Sequence, residues 1–251
     1  MRFDVVTLFP EMVLGAAHYG VTGKAIEKNI VSLVTWNPRD YATDKHKTVD
    51  DKSYGGGPGM VMKCMPLHQA VSDAKQYPAQ TRRVVFLSPQ GQPIKQALLA
   101  DASRYSQLIL IAGRYEGVDQ RFIDLDCDEE WSVGDYVLSG GELAALMVID
   151  AITRLLPGVL GDADSAEQDS HAHGLLDFPH YTRPECFNDL MVPPVLLSGN
   201  HADIERWRSK QALGNTWLKR PDLLATRALT QEEQHLLNEF ILESNNLRGK
   251  Q

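Results

Sequence analysis

No run of about 18 uninterrupted apolar residues occurs in the 251-residue chain, which removes the expectation of a membrane-spanning helix. The opening MRFDVVTLFP has neither the basic start, the apolar stretch nor the small-residue cleavage site of a secretory signal, so the expected location is the cytoplasm. Cysteine is scarce: Cys64, Cys127 and Cys186 lie far apart with no CxxC pair, and neither a disulfide framework nor a cysteine zinc site is expected. Positive charge is in deficit. With 25 Lys and Arg against 33 Asp and Glu the formal net charge is -8, which argues against indiscriminate coating of nucleic acid, because neutralising phosphates needs clustered cations. No GxGxxG follows a strand-like run, and residues 20–25 (GVTGKA) end in Ala where a phosphate loop needs Ser or Thr. Internal repeats and low-complexity tracts are also missing.

What is present suffices for a core, since 43% of the residues are hydrophobic and the length suits one large domain or a domain plus a smaller one. Short β-branched runs end at turn signals: DVVTLF (4–9), VSLVTW (31–36), RVVFL (83–87) and LILIA (108–112). Helical stretches such as 65–76 and 93–103 lie between them, and the alternation predicts an α/β fold with a parallel sheet. Function is then expected beyond the strand C-termini. Residues 141–158 (GELAALMVIDAITRLLPG) are apolar nearly all round, which predicts a buried helix or an interface helix, and a homodimer contact would explain it. At 162–167 (DADSAE) the composition turns small and acidic, as suits a flexible linker. Helical periodicity returns at 201–217 and 229–244, the latter with Thr230 and Glu233 as a capping box. The expected division is a domain over 1–161, a linker at 162–168 and a small helical domain over 169–251. Two charge tracts accompany it, an acidic one from Asp119 to Asp135 and a basic one including Arg206, Arg208, Lys210, Lys219, Arg220 and Arg227; a solvated face explains either about as well as a function does.

Three glycine-bearing turns each follow an apolar run: LSPQGQP (87–93), AGRYEGVDQR (112–121) and SVGDYVLSGGE (132–142). Converging loops of this kind offer backbone N–H and C=O groups to a planar heterocycle, although each taken singly is more often an ordinary turn. The run SYGGGPGM (53–60) is too interrupted by proline for a dinucleotide turn and divides evenly between mobile connection and site. His171, His173, Asp177 and His180 form a set of metal-ligating types, but solvated histidines beside a linker lack the supporting order of a tetrahedral site, and no protein metal site is assigned.

Together the three turns, GGELAALMVIDAITRLLPGVLG (140–161) and LLDFPHYTRP (175–184) resemble the bacterial tRNA (guanine-37-N1)-methyltransferases of the SPOUT class. The resemblance runs almost end to end and includes FDVVTLFPEM (3–12) and DDKSYGGGPGMVM (50–62). It implies a parallel sheet with a deep C-terminal trefoil knot, which topology rules alone would reject because true knots are rare. It implies S-adenosyl-L-methionine bound in a bent shape by the knot loops, first at Gly113 and at Val133, Gly134, Asp135, Tyr136, Val137 and Leu138. Leu87, Pro89, Tyr115, Glu116, Gly140 and Gly141 follow. It further implies a homodimer acting on the tRNA anticodon region, with the partner's C-terminal domain closing over guanosine 37 and with Asp50 and Gly59 near the preceding base. Magnesium stimulation, through Glu116 or Asp169, belongs to the same implication. The sequence departs from the family pattern at Ala144, often Pro, and at His171, often Phe.

Guanine N1 carries a proton at neutral pH, so methylating it requires a base as well as a methyl donor. Asp169 is the candidate base. An ordinary aspartate, with a pKa near about 3.9, matches that proton poorly and must work in a desolvated site or where the purine anion is stabilised. Arg154, aimed at O6, would supply that stabilisation. The plain alternatives are an ion pair of Arg154 with Asp150, four residues away, and a capping or linker role for Asp169. The products would be 1-methylguanosine and S-adenosylhomocysteine. Two further readings stay open: an inactive RNA-binding dimer of the same fold, and a methylase acting on rRNA or a ribose hydroxyl.

Overall fold

The computed structural model describes residues 1–161 and 169–248; the linker expected at 162–168 lies outside the described residues. The chain divides into two compact units, Met1–Ala163 and Asp164–Gln251.

The first unit is built on five parallel strands in the order β2 (Ser32–Trp36), β1 (Arg2–Val6), β6 (Gln107–Ala112), β5 (Arg82–Pro93) and β7 (Glu129–Ser132). Every residue of β6 is buried, as befits an apolar strand covered on both faces. Alternation then assigns the faces. Phe3, Val5, Leu108 and Leu110 pack with Val13 of α1 (Pro10–Ala17), Ala25 of α2 (Gly20–Glu27), Leu99 of α4 (Gln96–Ala102) and Ile149 of α6 (Glu142–Thr153). Val6, Phe86, Ile109 and Ile111 pack with Leu67 and Val71 of α3 (Cys64–Ala74) and Phe122 of α5 (Gln120–Asp126). Each of the larger of these side chains contributes about 1.5–3 kcal/mol of burial, which fixes the register more firmly than local propensity could. One carboxylate sits inside: Asp4, fully buried, accepts from the Arg2 guanidinium, from Trp36 Nε1 at 2.8 Å and from Gln107 Nε2 at 2.7 Å, so its lone pairs are satisfied.

Several elements differ from expectation. Helices α1 and α2 cover 10–27, where Gly15, Gly20 and Gly23 obscure the periodicity, and the rejected phosphate-loop look-alike is the start of α2. Strand β7 lies within the acidic tract, which is only in part a solvated face: Asp124, Asp128 and Asp135 are exposed, and several members have structural partners. There Asp119 caps α5 by accepting from Arg121 N–H at 3.0 Å, Asp126 pairs with His68 at 2.7 Å and Asp128 accepts from Val84 N–H at 2.7 Å. Helix α4 begins only at Gln96 because β5 continues through Pro93. Leu87 and Gln92 of β5 both face Trp131, so residues 88–91 leave the ladder as a bulge. Helix α6 stops at Thr153 with Arg154 as its C-cap, ahead of Pro157.

In the second unit the helices His201–Lys219 and Gln231–Arg248 pack around Leu213, Leu236 and Leu237. The capping box forms as its spacing predicts, Glu233 N–H donating to Thr230 Oγ1 at 3.1 Å and Thr230 N–H to Glu233 Oε2 at 2.8 Å. A short antiparallel hairpin, β8 (Cys186–Phe187) and β9 (Leu190–Met191), precedes them. The basic tract is largely neutralised within the unit: Arg206 pairs with Glu239 at 2.6 Å, Lys210 with Glu243 at 2.7 Å and Arg227 with Glu233 at 2.6 Å. Among the described residues no helix is long and apolar enough to cross a membrane.

Candidate functional site

Parallel strands present their C-terminal ends along one edge of the sheet, and the loops that leave β5, β6 and β7 there surround a cleft of about 410 Å³, within the size range of small-molecule sites. Leu87, Pro89, Gly113, Tyr115, Glu116 and Val133 line it, and so do Gly134, Tyr136, Val137, Leu138, Gly140 and Gly141. Asp135 does not; it is exposed beside the loop. A larger hollow of about 980 Å³ lies in the second unit, between its two long helices, and Asp169 is part of its wall. Of these two spaces, the smaller is lined by segments from three strands of the parallel sheet.

The two longest loops are pinned to each other. Gly141 N–H donates to Gly113 O at 2.9 Å, and Arg114 bridges Gly140 in antiparallel fashion. The approach is close enough to require glycine at 141, where a Cβ would stand 2.7 Å from Ala112 Cα. Tyr115 holds φ at +61°, a left-handed conformation that costs a bulky residue on the order of 1–3 kcal/mol and persists only where neighbours enforce it. Here they are Gly117 N–H to Arg114 O at 3.2 Å and Glu116 N–H to Met60 O at 3.0 Å.

Behind this wall sits a charged cluster that the sequence did not reveal. Glu142, the first residue of α6, is fully buried. Its Oε2 accepts from Arg114 Nε at 3.0 Å and its Oε1 from Thr7 Oγ1 at 2.9 Å. Arg114 also donates through Nη1 to Ser139 O at 3.1 Å and lies 4.4 Å from the centre of the Phe9 ring. A carboxylate opening an otherwise apolar helix was the available signal; the N-terminal end of a helix is where burying one costs least.

The residues expected near RNA stand beside the cleft. Asp50 of β3 (Asp50–Asp51) pairs with Met62 of β4 (Val61–Met62), and Met62 in turn bridges Val118 and donates to Gly117 O at 3.0 Å. Gly59 abuts the Glu116 side chain, bringing the glycine-rich run against the cleft wall. Arg154 ends α6 in the first unit, its N–H donating to Asp150 O at 3.1 Å, while the Asp150 carboxylate accepts from Thr22 Oγ1 at 3.2 Å. Asp169 belongs to the second unit, in a turn where Ala172 N–H donates to its carbonyl at 3.2 Å. The two departures from pattern are absorbed locally: Ala144 is buried within an α6 that starts without proline, and His171, at φ +74°, donates its N–H to Leu175 O at 2.7 Å. Among the described residues no three His, Cys, Asp or Glu side chains converge as a metal site.

Residues 1–226 match the family described as tRNA (Guanine-1)-methyltransferase TrmD. Among similar proteins is the tRNA (guanine-N(1)-)-methyltransferase of Methylococcus capsulatus, 65% identical over 240 residues that cover 96% of each chain. Proteins of the same name from Pseudomonas fluorescens and Pseudomonas putida are 57% identical over 242 residues and 56% identical over 243 residues, covering 96% and 97% of this chain and 97% of each of theirs. A match over nearly the whole chain, on a parallel α/β sheet whose loops enclose one small-molecule cleft, places the chain in the tRNA (guanine-1)-methyltransferase family.

Proposed function

We propose that the protein transfers the methyl group of S-adenosyl-L-methionine to N1 of guanosine 37 in tRNA, releasing 1-methylguanosine and S-adenosylhomocysteine. The observation that carries this reading is the cleft at the strand ends, where the β5 bulge and two loops pinned to each other by a backbone hydrogen bond leave room for one heterocycle-bearing ligand. The glycines at 113, 140 and 141 let its walls approach closely, since a Cβ at any of them would meet a neighbouring side chain or the backbone. The cofactor supplies an electrophilic sulfonium methyl. Everything else is asked of the chain: the loops hold the donor in line with the base, Asp169 takes the N1 proton as nitrogen attacks, and Arg154 donates to O6 as negative charge gathers there.

In this reading residues 1–161 form the catalytic domain, knotted as a deep trefoil by the three loops at 87–93, 112–121 and 132–142, and 169–251 form the tRNA-binding domain. The working assembly is a cytoplasmic homodimer, which would bring Asp169 of one subunit to the cofactor cleft of the other. Its support is the exposed apolar surface of the first unit: Leu143 and Met147 of α6, with Phe9 and Met12 beside them at α1, are about half exposed or somewhat less. Asp50 and Gly59 would meet the base preceding the target. Magnesium stimulation draws on the family likeness alone. The described residues offer no cage for it, so the ion would travel with the RNA phosphates, keep most of its waters and touch at most Glu116 or Asp169.

The test is incubation with labelled S-adenosylmethionine and tRNA transcripts carrying G or A at position 37, followed by digestion and identification of the labelled nucleoside. Label in 1-methylguanosine from the G transcript alone supports the proposal, and equal labelling of the A transcript overturns it. Label in rRNA or on a ribose would favour the other methylase reading, and none at all the inactive RNA-binding dimer.

A further inference from the structure

Burying a carboxylate completely is costly unless it is paired, and an apolar residue of similar volume at the start of α6 would serve the core as well. Glu142 is nevertheless there, and its partners come from two other parts of the chain, Thr7 at the end of β1 and Arg114 at the start of the loop after β6. The arrangement has a direction. Arg114 lies in the cleft wall, its side chain held between the Phe9 ring and the backbone of Gly140, and it grips Ser139 O on the opposite loop. Its guanidinium cannot shift without moving the turn at 139–141, and that turn carries the Gly141 N–H that closes onto Gly113.

We infer that Arg114 and Glu142 are a positioning pair that sets the spacing between the two loops of the cofactor cleft, acting on ligand affinity through the Ser139 and Gly140 backbone rather than by touching the reacting atoms. The inference rests on the cleft being the cofactor site. A two-pronged guanidinium is needed because one face must meet Glu142 while another nitrogen reaches Ser139; the lysine ammonium, a point charge on a flexible stem, cannot hold both directions. Thr7 completes the frame: its hydroxyl donates to Glu142 and accepts from Phe9 N–H at 2.9 Å, which holds the ring that covers Arg114.

The experiment measures binding of S-adenosylhomocysteine by calorimetry for the full-length wild type, Arg114→Lys, Glu142→Gln and the double variant, alongside thermal unfolding without ligand. Glu142→Gln keeps the shape and the Thr7 contact, while Arg114→Lys keeps the charge. The expected result is a dissociation constant raised about tenfold or more in each single variant, equivalent to about 1.4 kcal/mol, with the double variant no worse than the worse single one because the pair acts as a unit. Should Glu142→Gln fail to fold, Arg114→Lys decides alone. A purely structural pair would lower the unfolding temperature and leave the affinity of the folded protein within about twofold of wild type, and that outcome overturns the inference. If the wild type itself does not bind, the cofactor reading fails and takes this inference with it; binding by the wild type with unchanged variants rejects the pair alone.

Discussion

Replacing Gly141 by alanine isolates the closest approach in the cleft. The backbone there has φ -80°, which alanine adopts freely, so the substitution introduces no conformational strain and its whole effect is steric. The new Cβ would lie 2.7 Å from Ala112 Cα, 3.1 Å from Gly113 N and 3.2 Å from Ala112 C, where ordinary contacts begin at 3.4 Å. All three neighbours are backbone atoms at the end of the central strand, so they cannot rotate aside as a side chain would. The two loops must separate by several tenths of an ångström, and the hydrogen bond from Gly141 to Gly113 stretches with them. Overpacking of this kind costs about 1–3 kcal/mol. At about 2–4 °C for each kcal/mol in a chain of this size, the unfolding midpoint falls by several degrees while the protein stays folded at room temperature. Misplacement of a reacting frame on the order of 1 Å costs up to about a hundredfold in rate, so methyl transfer should drop by about ten- to a hundredfold. Differential scanning calorimetry reads the first effect and single-turnover methylation of a tRNA transcript the second, while calorimetric titration with S-adenosylhomocysteine should show weakened binding to the widened cleft. Wild-type affinity and wild-type turnover in this variant would refute the assignment of the cleft.

Two further predictions concern groups elsewhere. Asp169→Ala and Arg154→Ala should each bind S-adenosylhomocysteine as the wild type does yet lose about a hundredfold or more in single-turnover rate, the range that a positioned base or charge stabiliser supplies; near-normal chemistry in Asp169→Ala would require another base. Burial, helped by the nearby Asp126 carboxylate, pushes the Cys127 thiol from an ordinary 9.0 up to about 12. The folded state therefore keeps the proton where the unfolded chain loses it, and this contribution to stability is complete below pH 9 and declines as pH rises from there towards 12. Alkylation at pH 8 followed by peptide mass spectrometry should modify the exposed Cys186 first and the half-buried Cys127 more slowly; equal labelling rates would contradict the burial argument.

Much of the sheet was legible in sequence because β1, β2, β5 and β6 are apolar runs bounded by turn signals, and the period of 2 survives in their buried faces. Strand β7 was not. It is four residues long with two glutamates, and what makes it a strand is Trp131 buried against β5, a contact made across the sheet. Helices α1 and α2 were obscured by their glycines, and what holds the two helices in place is packing against α6, a contact made far along the chain. The three glycine turns read as turns, but their convergence follows from the strand order β2-β1-β6-β5-β7, which no local pattern carries. Arg114 and Glu142 stood in plain view inside two quoted motifs. Their contact spans 28 residues and depends on that same strand order, which neither motif carries by itself.

The bulge in β5 separates two things that a continuous strand would tie together. Because Leu87 and Gln92 meet the same residue of β7, the sheet does not count what lies between them, and the exposed Pro89 and Gln90 can be exchanged without shifting a core side chain, whereas Ser88 is buried and its hydroxyl accepts from Gln90 N–H at 3.1 Å. Gly91 is not free either, since a Cβ there would press on the Glu130 and Trp131 backbone. Nature and the protein engineer are thus handed an interchangeable part. One rim of the cleft can be rewritten to admit a different ligand while the scaffold keeps its register.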